Sequence, residues 1–512
     1  MRILDAESMH QVDRAAIEDF GIPSLVLMEN AAIGLADAIA ESYPEVVSAA
    51  IFCGPGNNGG DGLALARHLT IRGYHVEVSL LGSGQNLSGD AQVQLNICQG
   101  QGVPISEYGP EDDLHHAVDS ARGLDLVVDA LFGIGLTRPL SGHFAELVEA
   151  LNNIPVPRLA VDLPSGLNGS RAEIPGTHIE ADLTVTFGAP KVAHILSPAA
   201  DAVGEVVVAD LGAPTELIDR AAGDLHLLVG EELRSQLIPR PAASHKGDFG
   251  HVVILAGSTG KAGAAILAAR SAVRSGAGLV TVAAPEPIVQ TVDLGSVESM
   301  TLSLPTSESG GLAAEAAAMV LDFVQGKQVL AVGPGLGIES STIEVILAVV
   351  LGSEIPVVLD ADGLNAFADA FERLAERSAE TVLTPHPGEL GRLLSKSSVE
   401  VQADRVAAAK SAAVRAGSVV VLKGHQSLVS APSGEVYINQ TGNPGMATGG
   451  TGDVLTGLIA SLVGQGHSAL TAAQLGVFLH GVAGDVAAAD QGEAGLGASD
   501  LLDNLPEAFR RL

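Results

Sequence analysis

Short apolar runs recur along the chain, each closing on small or polar residues. In the first half they are AAIFC (49–53), HVEVSLL (75–81), LDLVVDAL (124–131), RLAVDL (158–163), DLTVTF (182–187) and GEVVVAD (204–210). In the second half they are HVVILAG (251–257), GLVTVAAP (278–285), QVLAVGPGLG (328–337), IPVVLDADGLNA (355–366), TVLTPHPGEL (381–390) and SVVVLKGHQSLV (418–429). Runs of this length, bounded by turn residues, predict strands. Stretches of helical character sit between several of them, including Ser24–Ala40 ahead of the first, Leu63–Arg72 and His143–Leu151. Strand alternating with helix predicts a largely parallel sheet with crossover helices in each half. A polar transition follows Gly212, and EELRSQLIPRPAASHKGDFG (231–250) reads as a linker from its prolines and small residues.

Composition narrows this picture. A chain of 512 residues is too long for one core and suggests two to four domains. Apolar residues reach 47%, with 61 glycines and no tryptophan, which suits close-packed α/β layers better than an aromatic-rich sandwich. The 60 acidic residues outnumber 27 basic ones, for a net charge of −33. Such a surface repels phosphate backbones, so a nucleic-acid partner is not expected. An anionic ligand must then be held by backbone N–H groups, helix starts or a few placed cations. Cys53 and Cys98 cannot build a disulfide framework or a structural zinc site. The opening MRILDAESMH carries no apolar leader and no uninterrupted apolar stretch is long enough to span a bilayer, so a soluble, cytoplasmic protein is expected.

GPGNNGGDG (54–62) follows the first strand and precedes a helix expected from about Leu63. Its first six residues fit a dinucleotide fingerprint, and Glu77 falls near the tip of the next strand. Yet Asn57, Asn58 and Asp61 crowd a turn that a pyrophosphate wants bare, and Asp61 would set a negative charge beside it. Amide and carboxylate oxygens suit a cation and a hydroxyl-bearing ligand better. A plain tight turn with Asp61 as helix cap stays open as well. Two further strands end on acids: Asp129 in LVVDALFGIGLTRPLSG (126–142) and Asp162 in RLAVDLPSGLNG (158–169). Open parallel sheets bind ligands at the carboxyl ends of their strands, so three such loops predict a site.

These three stretches resemble the NAD(P)H-hydrate epimerase domain over about residues 1–215, a Rossmann-like three-layer α/β/α fold. The resemblance implies substrate contacts from Asn57, Asn58, Gly59, Gly60 and Asp61, and from Gly133, Ile134, Gly135, Leu136, Thr137, Arg138 and Pro139. It implies potassium (K+) at Asn58, Asp129 and Ser165, and Asp162 as the catalytic carboxylate against the hydrated nicotinamide ring. Inverting C6 of that ring needs loss and return of a hydroxyl, and a carboxylate can move the proton and stabilise the iminium cation.

In the second half, GNPGMATGGTGDVLTG (442–457) is the strongest signal. Gly449, Gly450 and Gly452 leave bare N–H groups at a helix expected to begin near Asp453, which makes a cradle for a phosphate in transit. Asp453 stands where it could take a proton from a hydroxyl as the phosphate arrives. For 442–457 a flexible Gly-rich loop with Asp453 as helix cap is the plainer alternative, and GSTGKAG (257–263) lacks the spacing of a Walker A loop. GTGD before an apolar helix resembles the ribokinase-like α/β superfamily. TPHPGEL (384–390), VVLKGHQSLV (420–429), NPGMATGGTGDVL (443–455) and GPGLG (333–337) resemble ADP- or ATP-dependent NAD(P)H-hydrate dehydratase over about residues 230–505. That resemblance implies nucleotide contacts from Lys423, Gly424, His425, Gln426, Ser427, Gly449, Gly450, Thr451 and Gly452. It implies substrate contacts from Ala264, Gly335, Gly337, His386 and Asp453, with Asp453 catalytic. ADP (or ATP) is the implied co-substrate with Mg2+, although no clean ligand set for the metal is visible.

The expectation is therefore a bifunctional enzyme: an epimerase domain at 1–215, a transition at 216–230 and a dehydratase domain at 231–512. Its partners are small molecules, the NADH and NADPH hydrates and a nucleotide, and a homo-oligomer is expected. A vitamin-precursor kinase in the second half, a non-catalytic ligand-binding or scaffold module in the first, and an NAD-dependent dehydrogenase are the competing readings.

Overall fold

The computed structural model describes residues 1–512 apart from Thr137 and Ser309. The chain divides into two compact units, Met1–Gly223 and Asp224–Leu512.

The first unit holds a seven-stranded sheet in the order Ile105–Tyr108, His75–Leu81, Ser48–Cys53, Leu126–Ala130, Arg158–Val161, Leu183–Phe187, Glu205–Ala209. Every pairing is parallel. Side chains alternate along each strand, so both faces are apolar and both are covered. Ile51, Cys53, Val128 and Ala130 pack with Leu35, Leu63 and Leu95 of helices Ser24–Ser42, Asn57–Ile71 and Gly89–Gly100. Ala50, Phe52 and Val127 pack with Ala117, Leu147 and Leu151 of helices His115–Ala121 and His143–Asn152. The result is three layers. Strand order reverses between Ser48–Cys53 and Leu126–Ala130, which lie side by side with Cys53 opposite Ala130. A crevice opens at the carboxyl ends of strands where such a reversal occurs.

The second unit orders its strands Leu225–Leu227, Val436–Ile438, Leu428–Ser430, Val419–Leu422, Thr381–Leu383, Val357–Leu359, Val329–Val332, His251–Leu255, Leu279–Pro285, Met300–Leu304. From Val419–Leu422 onward all pairs are parallel, while Leu428–Ser430 runs antiparallel to both neighbours. The loops after five adjacent parallel strands therefore gather at one edge: 256–261, 333–339, 360–361, 384–386 and 423–427. Helices Ala262–Arg274, Thr451–Gly464, Ala469–Gln491 and Ala498–Arg511 bury Ala265, Leu458, Leu475 and Leu502 in one core with the sheet. Ala469–Gln491 is long and apolar enough to cross a bilayer, but 67% of its apolar window is buried within the fold, as in a core helix.

Three sequence expectations change. The stretch read as a linker at 231–250 is built into the second unit: helix Gly230–Arg234 buries Leu233, and the N–H groups of Gly278 and Leu279 bond Phe249 O and Gly250 O. The runs at 355–366 and 381–390 are each a three-residue strand followed by a helix, Asp362–Asn365 and Pro387–Leu394. The run at 418–429 is two strands, because the segment Lys423–Ser427 reverses the chain between them.

Candidate active sites

In the first unit, helix Asn57–Ile71 starts at Asn57 rather than near Leu63, with Gly56 as its cap. Asp61 is thus inside the helix and does not cap it. Gly59 and Gly60 are buried packing positions: a methyl on Gly59 would fall 1.9 Å from Gly54 O, and one on Gly60 would meet Met28 and Ala91. Asn57 and Asp61 face a cleft of about 180 Å³, joined there by Asp13, Asp90, Ile134, Asp162 and Lys191. Gly135, Arg138 and Pro139 are exposed on the loop beyond Ile134 and do not line the cleft; Leu136 is partly buried there, and Thr137 lies outside the described residues.

The three loops converge on Gly133. A Cβ placed there would stand 3.0 Å from Asn58 Oδ1 and 3.2 Å from Asp162 Oδ2. A side chain there would crowd both oxygens. Asp162 sits at φ +63°, a left-handed conformation that Asp tolerates better than most residues. Its Oδ1 accepts from Lys191 Nζ at 2.8 Å and from Thr186 Oγ1 at 3.0 Å. Lys191 Nζ also donates to Thr186 Oγ1 at 2.7 Å and Phe187 O at 3.0 Å, so its three protons are all placed. One carboxylate oxygen is thereby fixed, and Oδ2 points toward Gly133. Burial works against the charge on Asp162, but the Lys191 ammonium outweighs it and holds the carboxyl below its ordinary range. Asp61 goes the other way: burial first, then the charges of Asp162, Asp13 and Asp90, push it well above that range. A carboxyl held below its ordinary range and one pushed above it therefore share one cleft.

Lys191 was not among the sequence candidates. A lone Lys after LTVTFGAP carries no local signal; only the packing of strand Leu183–Phe187 beside Arg158–Val161 brings it to Asp162. The Lys191 side chain is 1% exposed. Lys191→Met in the full-length protein is expected to lower unfolding free energy by about 3–5 kcal/mol, because it strands a buried charge. Urea unfolding measures this, and an unchanged midpoint contradicts it.

Asp129 and Ser165 form a second buried group. Ser165 N and Oγ donate to Asp129 at 2.8 and 2.6 Å, and Phe132 N donates to Ser165 Oγ at 2.9 Å. Burial pushes Asp129 up to about 6 against these bonds. The Asn58 amide nitrogen is buried without a partner. Asp129, Ser165 and Asn58 carry carboxylate, hydroxyl and amide oxygens, the donor type that hard cations take. Among the described residues no group of three His, Cys, Asp or Glu side chains could hold a metal ion.

In the second unit, helix Thr451–Gly464 begins after Gly450, which has φ +96° and no side-chain cap. The first N–H groups are left for a ligand. They border a cleft of about 390 Å³ formed by Lys423–Ser427, Asn439–Asn443, Thr451, Gly452 and His480. Gly449 is exposed at its rim and, like Gly450, is not part of the lining. Asp453 lies in the first turn of the helix. Burial, and then the charge of Asp360, raise its carboxyl to about 7, while Lys423 pulls it down. Asp360 is the hub beneath it, accepting from Lys423 Nζ at 2.7 Å and from Thr384 and Thr456 hydroxyls at 2.8 Å each. Burial opposes the Lys423 charge, but Asp360 and Glu389 outweigh it and raise the ammonium above its ordinary value.

His386 caps helix Pro387–Leu394, its Nδ1 accepting from Gly388 N at 3.0 Å and Glu389 N at 3.3 Å. Glu389 returns the bond to His386 N at 2.8 Å and lies 3.8 Å from Lys423 Nζ. His386 is thus a capping residue with a half-exposed ring at the same sheet edge. Ala264 and Gly335 touch, since a Cβ on Gly335 would be 3.1 Å from Ala264 Cβ. Gly337 N donates to Asp362 at 2.8 Å. Sequence reading missed Asp360, Glu389 and Asp362, although IPVVLDADG ends an apolar run on acids in the manner of Asp129 and Asp162.

These features define a two-domain α/β enzyme whose second domain is ribokinase-like and pairs an amide cradle with a buried carboxylate–lysine network. Residues 252–507 match a family model described as NAD(P)H-hydrate dehydratase, and 24–193 one described as YjeF-related protein N-terminus. The bifunctional NAD(P)H-hydrate repair enzyme Nnr of Moorella thermoacetica is 42% identical, covering 100% of this chain and 97% of that protein. Its counterpart in Thermofilum pendens is 39% identical over the same shares. The ADP/ATP-dependent NAD(P)H-hydrate dehydratase of Bacillus subtilis, co-crystallised with ATP/Mg2+, is 31% identical with a TM-score of 0.50, covering 57% of this chain and 99% of that one. The chain belongs to the family of bifunctional NAD(P)H-hydrate repair enzymes.

Proposed function

We propose that the first unit interconverts the C6 epimers of hydrated NADH and NADPH, and that the second returns the S epimer to NAD(P)H at the expense of ADP (or ATP), in the cytoplasm and as a homo-oligomer. The observation that carries this reading is Asp453, a raised carboxyl at the start of a glycine-cradled helix beside the cleft of Lys423–Ser427.

In the second unit Asp453 takes the proton of the C6 hydroxyl as its oxygen attacks the terminal phosphorus of the nucleotide. The amides at Gly449–Gly452 and Lys423 receive the phosphoryl charge. The C6–O bond then breaks, driven by the ring nitrogen lone pair, and phosphate departs. Loss of the C5 proton restores the double bond. Mg2+ would travel on the nucleotide phosphates and screen their charge. Ala264, Gly335, Gly337 and His386 border the substrate side.

In the first unit the C6 hydroxyl leaves as water on a proton that Asp162 relays from solvent, and the ring becomes an iminium cation. Asp162 Oδ2 stabilises that cation, and water adds from the opposite face and gives its extra proton back to the carboxylate. Asn58, Asp129 and Ser165 would hold K+, which supplies charge that orders the three loops.

The test is the full-length protein on mixed epimers with ADP or ATP, followed by the near-ultraviolet absorbance of reduced nicotinamide. Complete recovery is expected. A plateau at the S-epimer fraction removes the epimerase assignment, and a stable phosphorylated product removes the dehydratase assignment.

A further inference from the structure

Helix Ala469–Gln491 presents His480, Gly481, Gly484 and Asp485 on one side, at helical spacing. All four meet the glycine-rich stretch. Asp485 Oδ2 accepts from Gly442 N and its Oδ1 from Asn443 Nδ2, each at 2.9 Å. Asn443 Oδ1 in turn accepts from Gly445 N at 3.1 Å. A methyl on Gly481 would fall 2.1 Å from Thr441 Oγ1, and one on Gly484 would fall 2.3 Å from Met446 Sδ. His480 Nε2 lies 2.9 Å from Thr451 O; a carbonyl only accepts, so that nitrogen carries the proton. Thr441, Gly442, Asn443, Met446 and Thr451 all line the nucleotide cleft.

We propose that Asp485 is a positioning residue for the nucleotide: through Gly442 and Asn443 it sets the part of the cleft wall that these two residues form. This rests on the nucleotide-cleft reading above. Both Asp485 bonds end on wall atoms, whereas the electrostatics at Asp453 come from Asp360 and Lys423. Loosening the wall therefore weakens nucleotide binding and leaves the chemical step in place. The glycines at 481 and 484 serve the same contact, since any side chain there pushes Thr441 or Met446 outward.

The experiment uses the full-length protein with ADP as probe. Asp485→Ala is expected to raise both the KM and the calorimetric Kd for ADP about tenfold, or about 1.4 kcal/mol. The kcat at saturating ADP and the KM for the hydrate stay near parental values. Asp485→Asn keeps one acceptor and falls between. Gly484→Ala, which leaves Asp485 in place but displaces Met446, reproduces the split and decides the matter should Asp485→Ala not fold. ADP affinity at the parental level in the folded variants, or a fall in kcat without a change in ADP affinity, overturns the proposal. Lys423→Ala separates the two readings. Should it leave ADP binding intact, the cleft is not the nucleotide site. Should it abolish binding while Asp485→Ala binds as the parent does, the positioning role alone fails.

Discussion

Asp453→Asn is expected to slow recovery of reduced coenzyme by about 10²–10⁴-fold, the usual worth of a positioned proton acceptor. Asn keeps the size and the helix-start geometry but cannot take the proton. The loss should fall on kcat, with ADP affinity retained. The parent should show an acid limb near pH 7 in its dehydration profile, because the base must be ionised and its carboxyl is raised to about 7. Stability should move oppositely. A carboxyl raised in the folded state binds more protons folded than unfolded, so the fold loses stability as pH rises from the unfolded value toward 7. Asp453→Asn removes that loss and should melt higher than the parent at pH 8, with the gap closing as pH falls toward 4. Parental dehydration rates in the variant would end the phosphoryl-transfer reading.

Asp162→Asn should reduce epimer interconversion by about 10²–10³-fold while leaving dehydration of the S epimer intact. Asn also tolerates the left-handed conformation at φ +63°, so the backbone is spared. The variant should be less stable, since Lys191 Nζ loses its anionic partner in a buried site. Combining Asp162→Asn with Lys191→Met should restore stability without restoring epimerisation. Chromatographic separation of the two epimers over time measures the first effect and urea unfolding the second. Undiminished interconversion by folded Asp162→Asn would reduce the buried pair to a structural ion pair.

Both predicted sites were partly readable from residue order. Glycine-rich loops after apolar runs, and acids at Asp129, Asp162 and Asp453, are local patterns, and each sits at a strand end or helix start. Helix boundaries were less legible. Asn57 and Asn58 look like turn residues by propensity, yet helix Asn57–Ile71 begins on them, because Gly59 and Gly60 pack that first turn against Gly54 and Met28. The segment at 231–250 looks like a linker for the same reason of composition, but Leu233 is buried and Gly278 ties it to the sheet.

The sequence by itself determined the alternation of strand and helix, the division into two α/β halves and the acids that end the strands. These depend on the periods of neighbouring side chains and on backbone preferences of Gly, Pro and Asn, which act over a few residues. Only the tertiary structure decided which groups face those acids. Lys191 reaches Asp162 across 29 positions, Lys423 reaches Asp360 across 63 and Thr456 reaches it across 96. Such pairings are set by the order of strands in a sheet, and it is they, with burial, that leave one carboxylate charged and raise another toward neutrality.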